Sequence, residues 1–70
     1  MSDEISTDRV KTLVQQLLDQ AGMSPQDVAE ALDNRVSSRT IYRWAKGESV
    51  PGNSHDYEAL TALHAQRVGG

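Results

Sequence analysis

The longest periodic signal in the chain runs from Val10 to Ala21. Val10, Leu13, Val14, Leu17, Leu18 and Ala21 recur at helical spacing, so one side of this stretch is apolar and the other polar. Ser6 or Thr7 can cap the helix, Asp8 suits the positive end of its dipole, and Gly22 marks its end. In so short a chain this stripe supplies half the core. A second helix starts at Met23-Ser24-Pro25-Gln26-Asp27, with Ser24 as cap, Pro25 as first helical residue and Asp27 as a capping-box-like acid. Val28, Ala29 and Leu32 form its buried stripe. Asp33-Asn34 close it, since both residues favour turns and tolerate left-handed backbone.

The third pattern divides into two faces. Ile41, Trp44 and Ala45 make an apolar seam, and Arg39, Tyr42, Arg43 and Lys46 line the opposite side. Ser37 or Ser38 can cap this helix, Gly47 can stop it in left-handed conformation, and Val36 re-enters the core just before it. Trp44 shares the seam with Ile41, so it reads as a core residue rather than a stacking platform. A loop follows through Pro51-Gly52, and Ser54 then caps a last helix with Tyr57, Ala59, Leu60 and Leu63 facing inward. Residues 1–6 read as a flexible arm, with Ile5 able to fold back. Residues 7–66 are the domain and 67–70 a loose tail. The sum is a compact all-α domain of four, at most five, helices with no strand.

Composition narrows the class. Seventy residues without cysteine make one small domain with neither disulfides nor thiolate metal sites. The N-terminus, Met1-Ser2-Asp3-Glu4, is acidic where a secretory signal is basic and then apolar, and no run approaches membrane-spanning length. The expectation is a soluble protein of the cytoplasm that does not engage a membrane. Net charge is −3, but its distribution matters more than its sum. Arg35, Arg39, Arg43 and Lys46 carry four positive charges with no acid among them, while the rest of the chain holds three basic and ten acidic residues. That is a basic patch on an acidic body, the footprint a phosphate backbone feels at close range.

Catalysis has little to stand on. His55, Asp56, Glu58 and His64 are the one acid–base or ligand cluster, and the two histidines lie nine positions apart. On a helix that spacing sets them about half a turn out of phase, so they cannot chelate one ion together. No phosphate-cradling glycine loop, nucleophile elbow or paired-carboxylate motif occurs. The expectation is a protein that is not an enzyme and takes no metal or cofactor.

Ala29, Leu32, then Val36-Ser37-Ser38-Arg39-Thr40-Ile41 with Trp44 and Lys46-Gly47, then Pro51 and an apolar helix, together resemble the phage repressor/Cro-like helix-turn-helix family. The likeness covers residues 7 to 66, and its most specific run is Val36 to Pro51. It implies a lambda-repressor-like fold, with one short helix across the DNA backbone and a second in the major groove. One departure stands out: the turn is two residues longer than the family's, and Asp33-Asn34-Arg35 replaces the usual turn glycine. Either the turn is longer or the preceding helix runs on.

Carried over position by position, Ser38, Arg39, Tyr42 and Arg43 face bases. The planar forks of Arg39 and Arg43 independently suit guanine O6 and N7, and Tyr42 suits a thymine methyl or a phosphate. Lys46, Arg35 and Ser37 are placed for phosphates, and Ser24 and Gln26 resemble the family's phosphate-clamping positions. The partner implied is double-stranded DNA, bound as a homodimer on two half-sites in a prokaryotic cell or phage-infected host. The protein would be a small transcriptional regulator. The alternative is a helix-turn-helix fold used as a protein-binding adaptor, anti-repressor or antitoxin-like module, meeting a protein partner through the acidic surface.

Overall fold

The computed structural model of the protein describes residues 6–69. Residues 1–5 of the arm expected over residues 1–6, with Ile5 folding back, and the end of the tail at Gly70 lie outside the described residues, and Ser6 is the N-cap of α1. Four helices follow one another: α1 over Thr7–Asp19, α2 over Pro25–Ala31, α3 over Ser38–Lys46 and α4 over Ser54–Arg67. Among the described residues there is no strand, so the architecture is all-α.

Each helix begins behind a short polar side chain held in extended backbone. Ser6, Ser24, Ser37 and Asn53 each accept a hydrogen bond from the backbone N–H three residues on, and so satisfy one of the free donors of a helix start. At α2 the box is reciprocal, because the Ser24 N–H also donates to Asp27 Oδ2 at 3.1 Å. The last helix corrects the reading of Ser54 as its cap. Asn53 is extended and its Oδ1 accepts from the Asp56 N–H at 2.9 Å, which leaves Ser54 as the first helical residue.

The helix ends show how the chain turns. Gly47 stops α3 at φ 79°, with its N–H on the Trp44 carbonyl at 3.1 Å and the Glu48 N–H on the Arg43 carbonyl at 2.9 Å. This paired closure satisfies carbonyls that the helix cannot. The same closure ends α2 without a glycine. Asp33 at φ 60° and Asn34 at φ 58° send their N–H groups back to the Glu30 and Ala29 carbonyls at 3.0 and 2.9 Å. The extra residues therefore belong to a longer turn; α2 ends at Ala31, with Leu32 as its C-cap. Helix α1 stops earlier than the glycine at 22 indicates. Asp19 is its last residue, and Ala21 and Met23 return to the Gln16 and Leu17 carbonyls while Gly22 turns the chain at φ 69°.

One core joins the four helices. Val10, Val14, Leu17, Val28, Ile41 and Leu60 are fully buried, and Trp44 is the largest side chain among the fully enclosed residues. Each such side chain removed from water contributes about 1.5–3 kcal/mol. Helix α3 packs on both α1 and α2, and α4 packs on α1. Val36, Tyr57 and Ala59 are half-buried against this core. Val68, assigned by sequence to the tail, also packs on it, directly after Arg67 closes α4.

Candidate nucleic-acid interface

The site is built outward from the buried seam of α3. Ile41, Trp44 and Ala45 are buried against the other helices, which forces the opposite side of a nine-residue helix into solvent. Arg39, Tyr42, Arg43 and Lys46 are exposed there, and Ser38, exposed in the first turn, lies on the flank three positions before Ile41. Tyr42 keeps 54% of its surface, the exposed large hydrophobic side chain of the described residues. Lys46 Nζ lies over the Tyr42 ring, 5.1 Å from its centre, within cation–π range.

Two contacts fix how α3 is presented. At its start, Ser37 Oγ accepts from the Thr40 N–H at 3.2 Å and lies 3.1 Å from Thr40 Oγ1. At its end, the Gln15 side-chain amide donates to the Ala45 carbonyl at 2.9 Å, joining α1 to the last turn of α3. Gly47 lies beside α1 as well: a Cβ placed on it would meet Lys11 Cδ at 3.5 Å and Thr7 Cγ2 at 3.7 Å. Gln15 and Lys11 escape a reading by sequence pattern, because only the packing of α1 on α3 brings them here.

The candidates for phosphate contact are tied to neighbouring side chains. Arg35 sits in the turn before α3, and its Nη1 lies 3.8 Å from Asp56 Oδ1 on α4. Lys46 Nζ lies 3.3 Å from Glu48 Oε2. Ser24 is engaged in the cap of α2, and Gln26 Nε2 donates to Glu30 Oε2 at 3.2 Å. Arg39 and Arg43, in contrast, form no ion pair among the described residues. No acid lies on α3, and Arg43 and Lys46 occupy its last turn, where positive charge meets the negative end of the helix dipole.

The histidines are apart from this face in role. His64 Nε2 lies 2.6 Å from Gln16 Oε1 and ties α4 to α1, whereas His55 is exposed. Among the described residues no group of three or more His, Asp or Glu side chains gathers that could hold a metal ion. No helix of the described residues is long and apolar enough to cross a membrane.

A basic, solvent-facing helix, carried on a core and preceded by a short capped helix across a turn, here a lengthened one, is the geometry of a helix-turn-helix. The family model of the homeodomain-like domain matches residues 6–52, which take in α1, α2, α3 and the loop beyond. No curated protein and no solved structure matches the chain. Helix α4 lies outside the matched segment and completes the core through Leu60 and Leu63. The match spans well over half of the chain and coincides with the helices that present the basic face, and the protein belongs to the homeodomain-like family of helix-turn-helix DNA-binding domains.

Proposed function

We propose that the protein binds double-stranded DNA sequence-specifically, as a small transcriptional regulator of the phage repressor/Cro-like kind with α3 in the major groove. The observation that carries this reading is the pair Arg39 and Arg43, one helical turn apart, exposed and free of carboxylate partners among the described residues. A major groove about 12 Å wide admits a helix about 10–12 Å across. An arginine fork aimed at its floor matches guanine O6 and N7. Ser38 and Tyr42 border the two arginines and complete the base-facing set, while Ser24, Gln26, Arg35, Ser37 and Lys46 serve the phosphates on either side. Two copies on half-sites about one helical turn apart would block or recruit transcription in the cytoplasm, where such DNA lies. In this reading the chain is a binding module that performs no chemistry and needs no cofactor.

A second reading, a protein-binding adaptor, anti-repressor or antitoxin-like module on the same fold, draws on the acidic remainder of the chain. Titration with mixed-sequence duplex at low salt separates the two. Amide resonances from Ser37 to Lys46 shift under the DNA reading. If they stay still, that reading fails and the protein-binding one takes its place.

A further inference from the structure

Three of the side chains assigned to phosphate share a feature that the base-facing arginines lack, whereas Ser37 is engaged by Thr40 and by no acid. Gln26 Nε2 donates to Glu30 Oε2 at 3.2 Å, Arg35 Nη1 lies 3.8 Å from Asp56 Oδ1, and Lys46 Nζ lies 3.3 Å from Glu48 Oε2. Three side-chain donors, on α2, the turn before α3 and α3 itself, are thus each engaged by an internal carboxylate. A carboxylate presents two anionic oxygens to a donor, as a phosphodiester does with its two free oxygens. Arg39 and Arg43 have no such partner among the described residues.

We propose that these carboxylates, Glu48 foremost, stand in for DNA phosphates in the free protein, so that binding proceeds by exchange of carboxylate for phosphate. The proposal rests on the DNA reading above. A phosphate that meets one of these three donors must displace its acid first, and the displaced acid is left close to a negatively charged backbone, where it takes up a cation. Contacts that carry no sequence information are therefore weakened and made less sensitive to salt, whereas Arg39 and Arg43 stay outside the exchange. Glu48 is a positioning residue in this scheme: it acts through Lys46 and touches no base.

The Glu48 side chain is exposed and caps no helix, and glutamine keeps the backbone N–H that closes α3 on the Arg43 carbonyl. E48Q therefore leaves the fold in place, and thermal unfolding of the variant verifies it. Full-length wild type, E48Q, K46A, the double variant and E58Q are titrated into a labelled mixed-sequence duplex by fluorescence anisotropy across a salt series. E58Q removes the same charge from an exposed α4 residue that has no ion-pair partner among the described residues. E48Q should tighten binding roughly two- to fivefold at low salt, the scale of one exposed ion pair. It should also steepen the log–log salt dependence by up to about 0.9, the share of one added phosphate contact. In the K46A background the gain should vanish. A gain that survives K46A, a gain no larger than that of E58Q, or no gain at all overturns the proposal. If neither wild type nor E48Q binds any duplex, the DNA reading itself has failed and the exchange goes with it, which is a distinct result.

Discussion

The side-chain amide of Gln15 donates to the carbonyl of Ala45 at 2.9 Å, a contact between residues thirty positions apart. The Ala45 carbonyl belongs to the last turn of α3, where no N–H further along the helix is left to meet it. Gln15 thus satisfies an orphan acceptor and sets the position of the basic face relative to α1. Gln15→Ala removes one partly buried hydrogen bond and leaves that acceptor to water. It should lower stability by about 1 kcal/mol, read as a reduced urea midpoint with an unchanged slope. An unaltered midpoint would make the contact incidental.

The turn before α3 stores strain that a substitution can release. Asp33 and Asn34 are both left-handed, at φ 60° and 58°, a region that disfavours side chains with a Cβ. Asp33→Gly should stabilise the domain by roughly 0.5–1 kcal/mol, because glycine adopts this backbone freely although it loses more chain entropy on folding. Asn34→Val should destabilise it by about 1–2 kcal/mol, since a β-branched residue is poorly tolerated there. Paired urea denaturation curves test the two signs, and movement of both midpoints in one direction would contradict this account of the turn.

These cases also show which features can be read from the chain and which cannot. The two faces of α3 are legible because burial obeys the helical repeat and the cations between Arg35 and Lys46 are unbroken by acids. Helix starts are legible to within a residue. Asn53 and Ser54 are both good caps, and only the extended backbone at Asn53 decides between them. The end of α1 is misplaced because Gly22 turns the chain three residues after the last helical residue, Asp19. Gln26 with Glu30 follows from spacing on one helix. Arg35 with Asp56, Gln15 with Ala45 and Gln16 with His64 depend on how separate helices pack, and no local pattern encodes them.

Trp44 tests how much of the presentation depends on the core. It is 2% exposed and lies in the seam between Ile41 and Ala45, on the helix that packs against both α1 and α2. Trp44→Ala should cost about 3–5 kcal/mol through lost burial and the cavity left behind. A single core of this size supplies only about 3–5 kcal/mol of net stability. Loss of the cooperative thermal transition in circular dichroism is therefore expected, and a variant that still melted cooperatively near the wild-type temperature would place Trp44 outside the essential core.

The division of labour on α3 makes the sharpest separation between variants. Arg39 and Arg43 are exposed, on a helix without acids, and free of ion pairs among the described residues, so their forks are available to base edges. Lys46 carries a compact point charge beside the Tyr42 ring, a geometry suited to a phosphate rather than to paired acceptors on a base. Arg39→Ala and Arg43→Ala should each cost about 1–3 kcal/mol on the preferred site and flatten the preference at one base pair. Lys46→Ala should weaken binding to every sequence alike, and in the E48Q background it should reduce the salt slope by up to about one contact's share. Sites selected from a random duplex pool with each variant report the preference directly, and anisotropy at several salt concentrations reports the slope. Identical losses of preference in all three variants would remove the distinction between reading and clamping on this helix.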